Sequence, residues 1–325
     1  MNTMPFRRGR RLVTLMTVAV NALCLAFGYR AGSAAHGCKS TAVDQKSFFL
    51  ETANEIFKDS VSESIRSFEA NGQIKDAHQI SVGHGPKIRI WDYFGPAYNC
   101  PSKERVGKIG DGGKWLCGVR TWLREKPNCV VYSFGSKGEV SFELGVASKL
   151  PNCEIHIFDP TLTHEQKSVV NSVPGAVFHD FGLGGENGVL SWGRHLSWIQ
   201  KTKKVYPVKT LKTIMSELGH PWIDVLKVDI EGGEWKVFED LLREFAFVPV
   251  GQIQIELHFL GEVQPVLDFF KNVMLKKFRP FSVEPNYYGR TAENARNMIE
   301  YSLIQVGDAG DVVLGAESRN RLTKI

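Results

Sequence analysis

Residues 225–235 read VLKVDIEGGEW. Val225, Leu226, Val228 and Ile230 make an apolar strand that ends in two carboxylates, Asp229 and Glu231, and breaks at Gly232 and Gly233. Glu234 and Trp235 then open a helix. Ligands of open α/β sheets lie in the crevice beyond the carboxyl ends of the strands, so acids placed there face a ligand rather than the core. Two earlier segments repeat the design. Residues 130–143, VVYSFGSKGEVSFE, run from a β-branched strand into a turn holding Gly135, Ser136 and Gly138 and then into a helix start. Residues 153–161, CEIHIFDPT, form a strand closed by Asp159 and Pro160. Strand, glycine turn, helix, strand and acid, in that order, describe a nucleotide-binding α/β domain.

Working outward, strands are expected near 129–134, 154–158, 176–180, 224–230 and 252–258, with helices near 139–149, 163–172, 210–218 and 234–244. That alternation argues for a mainly parallel sheet with helices on both faces. Strands at 278–284 and 300–306 would add an antiparallel pair at one edge. Upstream, Phe49, Ala53, Ile56, Phe57, Val61, Ile65 and Phe68 recur at helical spacing. They predict an amphipathic stem in 41–87, ahead of a main domain at 88–325 and behind a leader at 1–40.

The net charge of +5 belongs to that leader. Six of the 40 basic residues, Arg7, Arg8, Arg10, Arg11, Arg30 and Lys39, lie in residues 1–40 with no acid among them. The rest carries 34 basic against 35 acidic side chains, which removes the electrostatic footprint of a nucleic-acid binder. After the arginines come sixteen uncharged residues, 12–27, and then the small residues Ala31 to Ala35. A basic segment followed by an apolar one is either a cleaved secretory signal or a retained anchor whose arginine end stays cytoplasmic. The expected location is the secretory pathway, as a single-pass type II membrane protein of the Golgi or ER lumen or as a secreted one. Cysteines agree with an oxidising compartment. Cys129 and Cys153 start neighbouring strands, each six residues before the strand's closing Gly135 or Asp159, so parallel pairing in register sets them side by side. Cys100 with Cys117 is the second expected bridge, and Cys38 is left over.

The turn Gly135, Ser136, Lys137, Gly138 lets backbone approach a ligand at a helix amino terminus. It lacks the full G-x-G-x-x-G of a dinucleotide site, which disfavours a nicotinamide-dependent oxidoreductase. Asp159 falls where a carboxylate accepts from a ribose diol, and Asp180, in VFHDFGLGG, where an adenine amino group is read. Asp229, Glu231, Glu256 and His258 converge on neighbouring strand ends, the last two on one face of QIQIELHF because they are two residues apart. Carboxylates held together separate in proton affinity, which leaves one as a base toward a hydroxyl. They are also oxygen ligands suited to a hard divalent cation, although no metal site is assigned. A further glycine-rich stretch, IGDGGKWLC at 109–117, sets Asp111 and Lys114 beside Trp115 as a loop over a ligand or as a plain turn.

These segments, DGGKWLC at 111–117, VYSFGSKGEVSFE at 131–143, IFDP at 157–160, TLKTIMSELGH at 210–220, LKVDIEGGEW at 226–235 and IELHF at 255–259, resemble a class I S-adenosylmethionine-dependent methyltransferase. More narrowly, the chain resembles the family of methyltransferase-like protein twenty-four, with a more distant likeness to FkbM-type O-methyltransferases. The resemblance implies a Rossmann-like seven-stranded sheet with S-adenosylmethionine as cofactor. Its methionine part would lie over Gly135, Ser136 and Gly138, its ribose at Asp159 and its reacting centre near Asp229. One departure stands out: Ser133 occupies the place where many such enzymes carry an acid before the glycine turn. The expected reaction is O-methylation of a small-molecule, glycan or protein acceptor. The alternative is a binding module on the same fold that transfers nothing.

Overall fold

The computed structural model describes residues 90–110, 112–192, 204–259, 262–285, 298–307 and 310–316, with single helical positions at 59, 62 and 66. The leader, nearly all of the expected stem, and Asp111 lie outside the described residues. None of the described helices is long and apolar enough to cross a membrane.

A short 3-10 turn, Ile90–Tyr93, precedes an antiparallel hairpin of β1 (Lys103–Val106) and β2 (Lys114–Cys117). The helix α1 (Trp122–Glu125) leads into β3 (Cys129–Phe134), α2 (Ser141–Lys149), β4 (Cys153–Phe158), α3 (His164–Asn171) and β5 (Ala176–His179). Then come β6 (Gly182–Leu183), β7 (Gly188–Trp192), β8 (Lys204–Lys209), α4 (Leu211–Leu218), β9 (Ile223–Val228), α5 (Glu234–Glu244) and β10 (Val250–His258). The chain ends with α6 (Gln264–Leu275), β11 (Phe278–Pro285) and β12 (Met298–Gln305).

Seven strands make the central sheet in the order β11-β12-β10-β9-β3-β4-β5. β3, β4, β5, β9 and β10 pair in parallel. The expected antiparallel pair stands at the edge of the sheet: β12 enters between β10 and β11 and runs antiparallel to both, so the outermost strand β11 is parallel to the rest. Gly182–Leu183, Gly188–Trp192 and Lys204–Lys209 make a separate three-stranded sheet in the order β6-β8-β7, for which the sequence raises no strand expectation.

Period-2 alternation in the strands divides the core between the two faces. Tyr132, Phe134, Leu226, Val228, Ile253 and Ile255 pack with α4, α5 and α6. Val131, Ile155, Ile157 and Val225 pack with α2 and α3 on the other face. Burying each such large apolar side chain contributes about 1.5–3 kcal/mol, so the sheet is held from both sides. Local signals set the helix ends. Thr163 and Gln166 form a reciprocal capping box at α3, and Thr210 caps α4, which stops at Gly219 in the left-handed conformation. Both expected disulfides, Cys129–Cys153 and Cys100–Cys117, are present. The first joins residues paired in register at the starts of β3 and β4.

Candidate active site

β9 ends at Val228, two residues before the expected 230. The Asp229 amide donates to the Phe134 carbonyl at 3.1 Å, which ties the end of β9 to the end of β3. Gly135 takes a φ of +76°, and a Cβ there would lie 1.7 Å from the Asp229 carbonyl oxygen. The glycine is therefore demanded by this close approach of two strand ends. Lys227, buried on β9, donates to the Gly135 carbonyl at 3.0 Å and closes the same junction. Ser133 stands where an acid was expected, and its hydroxyl donates to Glu143 on α2. A carboxylate thus remains beneath the turn, supplied by the helix; its Oε2 is buried without a hydrogen-bond partner.

Asp159, buried at the end of β4, braces the glycine turn. Its Oδ2 accepts from the Lys137 amide at 2.8 Å and the Ser136 hydroxyl at 3.5 Å; its Oδ1 accepts from the Thr161 amide at 2.9 Å and hydroxyl at 2.6 Å. Gly138, with φ +78°, backs onto Gln166 of α3. Asp180 follows β5, is mostly exposed, and pairs with Lys167 at 2.6 Å.

The acids of the fourth and fifth parallel strands meet groups from far along the chain. Register sets Glu256 of β10 opposite Glu300 of β12, and Glu300 opposite Glu284 of β11. Three carboxylates thus lie in a row across three strands, and like charges placed so are destabilising unless compensated. The β1–β2 hairpin compensates them. Arg105 reaches Glu284 at 3.2 Å, Trp115 Nε1 donates to Glu284 at 2.8 Å, and Lys114 pairs with Glu300. Gln252 fixes the hairpin by bonding both the amide and the carbonyl of Cys117, at 2.8 and 2.9 Å. Lys114 is 2% exposed, and its Nζ also lies 3.6 Å from Asp229 Oδ2.

These contacts divide the protons. Burial opposes the Asp229 charge, but Lys114, Lys227, a hydrogen bond from Glu256 and the charge of His258 hold its pKa below the usual carboxylate range. Burial, the Asp229 and Glu300 charges and the hydrogen bond to Asp229 push Glu256 up to about 9, against the pull of Lys114. Burial raises Glu300 despite Lys114, and the surrounding acids outweigh burial to raise Lys114. At neutral pH Asp229 is the ionised member and Glu256 the protonated one. Asp229, Glu256 and Glu300 offer ligand atoms within 4.8 Å of one another, yet the ammonium of Lys114 already supplies a cation to this group.

The loop after Asp229 is held by Glu234, which is fully buried at the start of α5. Its carboxylate accepts from the amides of Ile230 at 3.1 Å and Gly232 at 2.9 Å, and from His258 Nδ1 at 3.1 Å. Burial disfavours the His258 charge, but Glu234, Glu256 and Asp229 overcome it and raise its pKa to about 9. Glu231 sits at the loop tip with a φ of +56°, a conformation that costs a non-glycine residue energy. It is 46% exposed and lies 3.2 Å from Lys137 and 3.9 Å from His258. The structure thus gathers Asp229, Glu231, Glu256 and His258 at the ends of β9 and β10, with Gly135, Ser136 and Asp159 at the neighbouring ends of β3 and β4, while Asp180 pairs with Lys167.

Lys227, Glu234 and Glu300 were not anticipated as members. Lys227 inside VLKVDI and Glu300 inside MIEYSLIQ are charges within apolar strands, a sequence signal that marks these two, whereas Glu234 at a helix start carries none.

A family model described as a methyltransferase domain matches residues 40–302. Two curated relatives, both called "Probable methyltransferase-like protein 24", match at 30% identity. The one from Rattus norvegicus aligns over 187 residues, 56% of this chain and 42% of its own length. The one from Homo sapiens aligns over 137 residues, 42% of this chain and 34% of its own length. The chain therefore spans less than half the length of these relatives. Among solved structures, a precorrin-6y C5,15-methyltransferase from Geobacter metallireducens is similar at 11% identity and a TM-score of 0.32, over 56% of this chain and 82% of its own.

Proposed function

The chain belongs to the methyltransferase-domain family, and from that premise we propose that it transfers a methyl group from S-adenosylmethionine to a hydroxyl or carboxyl oxygen of an acceptor in the secretory pathway. The observation that carries this reading is the ionised carboxylate of Asp229, 14% exposed, beside the glycine turn at the junction of β3 and β9. An anion there suits a sulfonium cation, so the donor set fits the cofactor at its reacting end.

On the ribose side the fit needs one exchange. Every oxygen of Asp159 already carries protein donors, and the Thr161 hydroxyl is the partner that a ribose hydroxyl can replace one for one. Gly135, Ser136 and Gly138 would hold the methionine part, and Asp180 would face the adenine after parting from Lys167.

The cofactor supplies an electrophilic methyl carbon; the protein supplies alignment and charge. Asp229, with a lowered pKa, is a stronger anion than base, and Glu256 and His258 hold their protons at neutral pH. General-base help is therefore small, and orienting the acceptor oxygen accounts for most of the rate. Glu231, at the exposed tip of the loop, is the group placed to meet the acceptor. Two disulfides and the basic-then-apolar leader support a lumenal or secreted location, membrane-anchored if the leader is retained. Small molecules, glycans and proteins remain as acceptor classes, and the charge balance beyond the leader argues against nucleic acid.

Isothermal titration of the protein with S-adenosylmethionine, and separately with NAD, tests the cofactor. Heat with the first alone is expected, and none with the first overturns the reading. The saturated state of Asp159 favours a second reading, a binding module without turnover. Transfer of labelled methyl from the cofactor into secreted glycans or proteins separates the two.

A further inference from the structure

A second constellation of titratable side chains lies away from these strand ends, on the face of the sheet that packs α4 and near the start of β4. Glu154 and His156 are two residues apart on β4, so they point the same way. Gly219 ends α4 in the left-handed conformation and turns His220 back toward them, with the His220 amide donating to the Met215 carbonyl at 2.9 Å. His156 Nε2 lies 2.8 Å from Glu154 Oε1, and His220 Nε2 lies 3.5 Å from Glu154 Oε2. The ligand atoms of the three residues all fall within 4.8 Å of one another.

The far nitrogens of both rings are taken. His156 Nδ1 is 2.9 Å from His179 Nε2, and His220 Nδ1 is 2.7 Å from the Tyr132 hydroxyl. A single His–Glu hydrogen bond would satisfy a buried histidine. Here two Nε2 atoms converge on one carboxylate while each Nδ1 is oriented by a partner behind it. That is how metal-ligating histidines are held, the outer nitrogen fixing both the tautomer and the ring angle.

We propose that Glu154, His156 and His220 bind a divalent transition metal of the zinc class, with water completing the coordination. Bonds of about 2.0–2.1 Å to a tetrahedral ion set ligand atoms about 3.4 Å apart; the two nitrogen–oxygen distances here are 2.8 and 3.5 Å. Two imidazoles select zinc, copper or nickel over magnesium or calcium. Glu154, half-exposed, has the rotamer freedom to adjust. The ion would staple the start of β4 to the loop between α4 and β9, at the end of the strands opposite to Asp159 and Asp229.

The test uses the full chain, stripped with chelator and dialysed, titrated with zinc chloride by calorimetry and with Co2+ by visible absorption. One zinc per chain and a tetrahedral Co2+ spectrum are expected. Glu154→Gln, at a half-exposed position, should weaken zinc at least tenfold, and Tyr132→Phe by about 10–100-fold through loss of the outer hydrogen bond. His220→Asn should abolish the Co2+ spectrum; should that variant fail to fold by circular dichroism, Glu154→Gln carries the test. Absence of saturable zinc binding overturns the proposal. So does binding that Glu154→Gln leaves unchanged, which would assign the ion to other ligands such as His36 and Cys38 of the leader.

Discussion

Lys114 Nζ lies 3.6 Å from the Asp229 carboxylate, although 115 positions separate the two residues in the sequence. The hairpin that carries Lys114 thus sets the charge state of the strand end that faces the proposed cofactor. Because Lys114 also pairs with Glu300, one buried ammonium balances two carboxylates.

Removing that ammonium should be costly. Lys114→Met leaves buried carboxylate charge uncompensated, and about 3–5 kcal/mol of stability is expected to go. Adding Glu300→Gln removes one of the stranded acids and should recover part of the loss. Urea unfolding of the single and double variants measures both, and additive losses would show that the pair is not coupled.

Asp229→Asn should weaken S-adenosylmethionine by roughly 10–100-fold, the worth of a charge-assisted contact of about 1.5–3 kcal/mol. Glu231→Gln should leave cofactor affinity near its original value and change the KM for the acceptor. Calorimetry of the two variants side by side checks the assignment, and equal losses would contradict it.

Asp159→Ala should loosen the glycine turn and cost about 1–3 kcal/mol of cofactor binding. Thr161→Val separates turn bracing from ribose recognition, because it removes only the hydroxyl that a ribose would displace. Unchanged or tighter cofactor binding is expected for Thr161→Val; a loss as large as that of Asp159→Ala would mean that the hydroxyl is not exchanged.

Stability should fall as pH rises above neutral. Glu256 keeps a proton up to about 9 in the folded protein but only to 4.5 in its ordinary state, so across that window the folded form holds the extra proton and is weakened by each rise in pH. His258, raised from 6.5 to about 9, acts in the same direction: its stabilising charge is complete below 6.5 and lost as pH climbs through 9. Each group contributes a slope of at most about 1.4 kcal/mol per pH unit. Asp229, lowered, adds stability that is lost only on the acid side. Thermal unfolding from pH 6 to about 9.5 should therefore show a decline, and Glu256→Gln should flatten it.

Reduction should destabilise the protein by about 2–5 kcal/mol for each bridge lost. Cys129→Ser with Cys153→Ser tests the bridge between β3 and β4 directly. Peptide mapping under non-reducing conditions should recover the 129–153 and 100–117 pairs.

The alternation of strand and helix, the glycine turn and the acids at strand ends were readable from VYSFGSKGEVSFE, IFDP and VLKVDIEGGEW, because each is a local pattern of period, turn chemistry and strand termination. Cys129 with Cys153 was readable too, since equal distances to two strand ends imply a shared register. The small sheet of β6, β7 and β8 was not, because apolar residues of its strands such as Val189 and Val205 face solvent. Neither was the placement of β12: hydrophobic period tells which face a residue takes, not which strand lies beside it. That placement brings Glu300 opposite Glu256 and leaves room for Lys114. The sequence by itself determined which acids stand at the strand ends. Only the tertiary structure decided which of them keeps a proton, because proton affinity depends on burial and on charges a few ångströms away, and here those charges come from opposite ends of the domain.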